Sequence, residues 1–208
     1  EEAKKSSTRK LFAQEYECEW TTTELQVYDL NEEKHLIDLE HIQARDRRYE
    51  FIAGLDVGYR DENVFVVMAT DGEDFYLVDE YVSNETTTST LAEEIQEKVD
   101  EWGIDSIYID SAAQQLKADL AYDYDIYCEN AIKSVNDGIA AVQVLIENDK
   151  LLVDVNKCGH TYSSLSSYKW NPKTENPKPV HDWASHASDA VRYAIYTHQK
   201  RSVGIFAV

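Results

Sequence analysis

Three aspartates in apolar surroundings constrain this chain more than any other feature of its sequence. Asp56 and Asp110 each end a short apolar run, and Asp189 lies in an alanine-rich segment of helical pattern. Carboxylates that converge repel one another unless they are protonated or neutralised, and hard divalent cations bound by oxygen ligands keep such a cluster ionised. We therefore predict that two strands and a helix bring these acids together around divalent metal.

The composition is that of a globular domain, with 43% hydrophobic residues in 208. The chain begins with Glu1 and its only methionine is Met68, so we expect it to be a fragment of a longer protein. No apolar run approaches the roughly 20 residues that span a bilayer, which favours an intracellular protein with no membrane partner. The three cysteines form neither a paired disulfide framework nor a structural zinc set.

The charge of the chain limits its partners. Forty acidic residues against 20 basic ones leave a formal net charge of -20, which repels a polyanion at long range. A tight, autonomous DNA binder is excluded on this ground. The balance is consistent with a small-molecule substrate, or with a nuclease that is held on DNA by another part of a longer protein.

The hydrophobic pattern predicts an α/β fold: a mixed sheet with three antiparallel strands, then parallel strands, flanked by helices. Predicted strands cover residues 51–57, 64–69, 75–82, 106–110 and 126–128, with an edge strand or hairpin arm at 151–155. Predicted helices cover 89–102, 112–122, 135–147 and 182–197. An N-terminal extension or linker, 1–49, with a strand near 24–28, precedes a domain at 50–208. The prolines place 169–179 in a loop whose three lysines form a basic arm.

Each acid has a structural alternative to metal binding. Asp56 inside an apolar strand needs a cation or dense hydrogen bonding, although an aspartate before Gly58 also forms turns. Asp110 precedes a helix that it could cap, and Asp189 is unremarkable if it is exposed. His186 lies one helical turn before Asp189, where it could bind metal, meet phosphate, orient a ligand or fill a core position.

Two further residues and one absent motif bear on the site. Asp182 is expected to cap the last helix, and Lys133 is either a surface lysine or a residue that faces the acids. The inward stripe of that helix is predicted at positions 183, 187, 190 and 194. No segment matches the phosphate-binding loop of ATPases, Gly-x-x-x-x-Gly-Lys-[Ser/Thr].

Five segments, taken in order, resemble the nuclease domain of tailed-phage terminase large subunits, in particular those of headful-packaging phages. The segments are Asp-x-Gly at 56–58, Tyr-Ile-Asp-Ser-Ala-Ala at 108–113, Asp-Gly-Ile at 137–139, Ser-Tyr-Lys-Trp at 167–170 and His-Ala-Ser-Asp-Ala-Val-Arg-Tyr-Ala at 186–194. The resemblance covers roughly residues 50 to 197.

This resemblance implies a ribonuclease H-like fold and an endonuclease that cuts double-stranded concatemeric viral DNA with two divalent cations, Mn²⁺ or Mg²⁺. It implies a packaging ATPase domain in the same polypeptide, a small terminase subunit and portal protein as partners, and a location in the host cytoplasm. Asp56, Asp110 and Asp189 correspond to the metal-binding acids of the family, with His186 beside the third. Ser185 stands where the family often has a further acid.

Three other functions remain open at this point. A junction resolvase or transposase of the same fold uses similar acids. An actin-like ATPase fragment also begins with an Asp-x-Gly strand, but it needs a glycine-bearing phosphate loop near Asp110, where Ser111, Ala112 and Ala113 stand. In an interaction module the acids would only cap helices and solvate the surface.

Overall fold

The computed structural model describes residues 25–58, 61–173 and 178–205, with the side chains of 203–205 left out. Within these residues, strands and helices alternate after an initial three-stranded meander. The strands are β1 (Leu36–Ile37), β2 (Glu50–Asp56), β3 (Asn63–Thr70), β4 (Phe75–Ser83), β5 (Ser106–Ile109), β6 (Cys128–Asn130) and β7 (Leu151–Asp154). The helices are α1 (Glu32–His35), α2 (Thr88–Trp102), α3 (Gln114–Tyr124), α4 (Val135–Glu147), α5 (Gly159–Ser167) and α6 (Trp183–Ile205).

The strands form one mixed sheet in the order β1-β7-β4-β3-β2-β5-β6. β3 is antiparallel to both of its neighbours, β2 and β4, whereas β5, β6, β7 and β1 are added in parallel. The predicted mixed sheet is therefore confirmed. The prediction of an edge strand or hairpin arm at 151–155 is wrong, because β7 lies between β4 and β1 and is parallel to both.

Side-chain alternation along β2 divides the core into two layers. Ile52 packs into the layer that contains α4, α5 and α6, whereas Phe51, Ala53 and Leu55 pack into the layer that contains α2 and α3. Successive side chains of a strand point to opposite faces, so Asp56 shares the face of Ile52. The same alternation along β5 places Asp110 on the face of Tyr108, which also belongs to the α6 layer.

Helix α6 crosses that face closely because its contact surface is small. Ala187, Ala190 and Ala194 are fully buried, and a Cβ atom at Gly54 of β2 would lie only 1.9 Å from the carbonyl oxygen of Ala190. The absence of a side chain at Gly54 thus sets the helix-to-strand distance. The predicted stripe was wrong at Trp183, whose side chain is half-exposed and lies 6.1 Å from the His160 ring.

Residues before β2 also contribute to the core. Val27 and Tyr28 are buried in the α6 layer, and the backbone N–H of Val27 donates to the carbonyl of Tyr168. Gln26 forms an isolated bridge with Lys169, while residues 1–24 of the expected extension lie outside the described residues. The division at residue 50 into linker and nuclease domain stays a prediction.

Candidate active site

The topology brings Asp56 and Asp110 to one edge of the sheet. β2 and β5 are parallel neighbours, and Leu55 is the register partner of Ile109. The next residue on each strand is the predicted acid, so the two carboxylates leave the carboxyl ends of adjacent strands on the face covered by α6. This edge is where parallel sheets commonly carry their sites.

Asp189 reaches the same region from α6. It lies one residue before Ala190, the residue whose backbone touches Gly54 of β2. The electrostatic field of Asp56 adds to the effect of burial in raising the pKa of Asp189. The predicted convergence of two strands and one helix is therefore present in the geometry.

Tyr193, one helical turn beyond Asp189, reports the convergence independently. Burial raises the pKa of its hydroxyl, and the negative charges of Asp189, Asp56 and Asp110 raise it further. The hydroxyl lies 3.4 Å from Oδ2 of Asp110 and is placed to donate to it. Sequence reasoning missed Tyr193, although its i+4 spacing from Asp189 puts both on one helical face.

Each of the three acids contacts its own basic group. Nδ1 of His186 lies 2.9 Å from Oδ2 of Asp56, and Lys133 forms an ion pair with Oδ1 of Asp110. Nε and Nη2 of Arg192 donate to Oδ1 of Asp189 at 3.1 and 2.8 Å. These acid–base pairs offset the repulsion that three neighbouring carboxylates would otherwise suffer.

The partners shift the pKa values in different directions. The hydrogen bond to Asp56 raises the pKa of His186, which favours the imidazolium despite partial burial. Burial raises the pKa of Asp189, and Arg192 only partly offsets it. Burial also acts to raise the pKa of Asp110, but the Lys133 ammonium and the Ala112 N–H together hold it below its ordinary value.

The structural alternatives for two acids are also visible. Oδ1 of Asp110 accepts from the backbone N–H of Ala112 at 2.7 Å, so this acid organises the turn before α3 as well as facing the site. Oδ1 of Asp182 accepts from the N–H of Ala184 at 3.0 Å, as expected of a residue at the start of α6. Lys133, a surface lysine or a site residue on sequence grounds, faces Asp110.

Arg192 was not singled out from the sequence, although it follows Asp189 by three residues. Its side chain is almost fully buried, and a Cβ atom at Gly138 of α4 would lie 2.7 Å from its Cγ. The glycine therefore leaves the space that the arginine stem occupies. An arginine held in this way fixes one carboxylate oxygen of Asp189 and leaves Oδ2 outside that contact.

A second group of polar residues lies beside Asp56. In the described ranges, ligand atoms of Asp61, His181 and His186 all lie within 4.8 Å of one another, a spacing that could hold a metal ion. The three predicted acids do not form a group at this spacing among the same residues, because their oxygens turn towards separate basic partners. Asp61 and His181 were missed because they meet only in the folded chain.

Clefts flank the acids on two sides. One, of about 480 Å³, has Asp189, Tyr168 and Ser185 in its wall together with Lys178 from the predicted basic arm. Residues 174–177 of that arm lie outside the described residues. No helix in the described part of the chain has the length and apolar character needed to cross a membrane.

This fold is that of the ribonuclease H-like nuclease domains of large terminases. Residues 53–197 match the family described as Terminase RNaseH-like domain. The chain is 38% identical over 208 residues to the terminase large subunit of Escherichia phage T5, which covers 95% of this chain and 47% of that protein. The chain belongs to the terminase RNaseH-like domain family.

Solved structures agree on the fold. The large terminase of a thermophilic bacteriophage superimposes with a TM-score of 0.75 at 21% identity, covering 94% of this chain and 51% of that one. The nuclease domain of the SPP1 large terminase, with bound Mn, gives 0.60 at 21% identity and covers 78% and 96%. The magnesium-bound nuclease of phage G20c gives 0.65 at 15%, covering 83% and 97%. The chain spans about half the length of the T5 protein and of the first of these three structures.

Proposed function

We propose that this chain is the nuclease part of a terminase large subunit, and that it cuts concatemeric double-stranded viral DNA during headful genome packaging. The observation that carries the proposal is the meeting of Asp56 and Asp110, at the ends of adjacent parallel strands, with Asp189 on the helix that covers them. Family membership and the fold support the same function.

The donor set fits two divalent cations, Mn²⁺ or Mg²⁺. All three acids offer carboxylate oxygens, the ligands that these hard cations prefer. The contacts of His186 and Arg192 each fall on one oxygen of their acid, Oδ2 of Asp56 and Oδ1 of Asp189. When bound, two such ions lower the pKa of an attacking water and neutralise charge on the leaving oxygen.

The protein residues position these donors. Asp56, on the strand between β3 and β5, is the acid best placed to serve both ions, while Asp110 and Asp189 each serve one. His186 orients Asp56 through its Nδ1 contact, and the Ala112 N–H fixes Asp110. Lys133 pairs with Asp110 and is exposed enough to meet a phosphate of the bound strand.

The negative charge of the chain suits a nuclease that acts only when it is delivered. With a formal charge of -20, the isolated chain should bind DNA weakly and lose that binding steeply as salt rises. A packaging ATPase domain in the same polypeptide would raise the local concentration of the nuclease on DNA and restrain cutting while packaging proceeds. Small terminase subunit and portal protein, in the host cytoplasm, complete the proposed assembly.

Conversion of supercoiled plasmid to nicked and linear forms tests the proposal. The purified chain is incubated with Mn²⁺, Mg²⁺ or EDTA, beside Asp56→Ala and the control Asp71→Asn. Asp71 lies in the β3–β4 turn at the opposite end of the sheet, where Oδ1 accepts from two backbone N–H groups. We expect metal-dependent cutting by the wild type and the control only. Equal behaviour of wild type and Asp56→Ala in every metal would overturn the proposal.

A further inference from the structure

The group formed by Asp61, His181 and His186 has a different chemistry from that of the three aspartates. Two imidazoles and one carboxylate suit borderline transition cations such as Zn²⁺ or Co²⁺, whereas all-oxygen sets suit Mg²⁺. The three residues come from the β2–β3 turn, the segment before α6 and the first turns of α6. Their ligand atoms lie within 4.8 Å of one another.

The hydrogen bonds of both histidines leave Nε2 available as a ligand. Oγ of Ser185 is placed to donate to the carbonyl of Asp182 at 2.6 Å, so it can accept from Nδ1–H of His181, 3.0 Å away. Nδ1 of His186 lies 2.9 Å from Oδ2 of Asp56, which accepts its proton. An oxygen partner on one ring nitrogen is the usual way in which proteins orient a metal-binding histidine.

The mobility of the three ligands is favourable. His186 is buried and held by Asp56, whereas Asp61 and His181 are exposed. Zinc bonds of about 2.0–2.2 Å require ligand atoms closer than 4.8 Å, and the two exposed side chains can rotate to supply this approach. The backbone of Asp61 is fixed, since a Cβ atom at Gly58 would lie only 2.8 Å from its carbonyl carbon.

The surroundings attract a cation. The three residues share a cleft of about 500 Å³ with Glu62, Glu85 and Asp182. The start of α6 carries a partial positive charge that opposes cation binding, and these acids offset it. The cleft is open enough for an ion to enter from solvent.

We propose that Asp61, His181 and His186 form a transition-metal site, selective for Zn²⁺-like cations, beside the acids of the proposed nuclease centre and linked to them through the His186–Asp56 hydrogen bond. A cation bound there ties the β2–β3 turn to the start of α6, and so fixes the orientation of the imidazole that contacts Asp56. The site does not depend on the proposed function, since its ligands include none of the three aspartates.

Imidazole ¹⁵N spectra of the labelled chain, titrated with Zn²⁺ to one equivalent, test the proposal directly. The chain has six histidines, and we expect Nε2 shifts for His181 and His186, with the other four as internal controls. Shifts spread over the other histidines, or no shift at Nε2 of His181, would overturn the proposal.

Competition against a fluorescent Zn²⁺ chelator measures the affinity. We expect at least a tenfold loss in Asp61→Asn and His181→Gln, and roughly a tenfold loss in Ser185→Ala, which removes only the orienting hydroxyl. The exposed histidine variant His41→Gln should bind as the wild type does. Wild-type affinity in His181→Gln contradicts the site.

One variant separates this proposal from the nuclease proposal. Asp110→Asn should lose plasmid cutting while it keeps Zn²⁺ affinity and the His181 and His186 shifts. Loss of Zn²⁺ binding in Asp110→Asn would mean that the ion sits among the three aspartates, which overturns the separate site. Failure of plasmid cutting by the wild type would refute the nuclease proposal and leave the Zn²⁺ measurements unaffected.

Discussion

Replacing Gly54 with alanine should disturb stability and cutting together, because this glycine sets the distance between β2 and α6. The added Cβ would lie 1.9 Å from the carbonyl oxygen of Ala190 and 2.8 Å from its carbonyl carbon. The helix backbone must withdraw by about 1.1 Å to bring the nearer contact even to 3.0 Å. A backbone carbonyl cannot rotate away as the end of a flexible side chain could, so the strain falls on the whole helix.

The magnitude follows from two opposing contributions. Overpacking of a close-packed core costs about 1–3 kcal/mol, and a clash with backbone lies at the upper end. Alanine recovers about 0.5–1 kcal/mol of the conformational entropy that glycine loses in a strand. We expect a net loss of about 2 kcal/mol, equivalent to a fall of about 4–8 °C in Tm for a domain of this size.

The same shift should affect cutting more strongly than it affects stability. α6 carries Asp189 and His186, so its withdrawal moves both away from Asp56. Misplacement of reacting groups by about 1 Å can cost about 100-fold in rate, and we expect a loss of this size well below the Tm of the variant. Urea denaturation and plasmid cutting at low temperature measure the two effects separately.

Gly159→Ala is the matched control. Gly159 opens α5, and nothing lies within 4 Å of a Cβ atom built there. Alanine is also the better helix former by about 1 kcal/mol, so this variant should be as stable as the wild type or slightly more stable, with unchanged cutting. If Gly54→Ala matched Gly159→Ala in both assays, the argument that Gly54 positions α6 would be refuted.

Three further outcomes are expected. Arg192→Met should lower the free energy of unfolding by about 2 kcal/mol, less than for a fully buried pair because Asp189 keeps 26% side-chain exposure; reversible urea unfolding checks this, and an unchanged stability would contradict it. Lys133 holds the pKa of Asp110 below its ordinary value, so the carboxylate stabilises the fold above about pH 3.9 and loses this contribution as pH falls through the lowered folded pKa; NMR titration should place the midpoint higher in Lys133→Ala, and an equal midpoint would exclude the ion pair. Burial raises the pKa of the Cys128 thiol to about 11, so peptide mapping after iodoacetamide treatment at pH 8 should find alkylation about 100-fold slower than in a free peptide, whereas an equal rate would contradict burial of the thiol.

The order of the elements could be predicted because it depends on local pattern. Apolar runs of branched residues fixed the meander β2–β4, and helical periodicity fixed α2, α4 and most of α6. The position of β7 could not be predicted, because strand neighbours are chosen by long-range packing. Its pairing with β4 and β1 joins residues about 75 and 115 positions apart in the chain.

The acids of the site could be found from the sequence, whereas most of their partners could not. An aspartate that ends an apolar run is visible by its environment, which singled out Asp56 and Asp110. The period of two was also visible: Asp56 and Ile52 share parity, so their common face follows from the strand alone. The meeting of Asp61 with His181, 120 positions later, depends on how the β2–β3 turn packs against the start of α6.

The most direct test of the central claim is the single-turnover rate of duplex DNA cleavage in Mn²⁺ by Asp56→Asn, Asp110→Asn and Asp189→Asn, with Asp71→Asn as control. Asparagine keeps the shape of each side chain and removes its charge, so folding is disturbed little. The proposed nuclease centre predicts a loss of at least about 100-fold in each of the three variants, and a wild-type rate in the control. A rate within about twofold of wild type in any of the three would contradict the assignment of that acid to the centre.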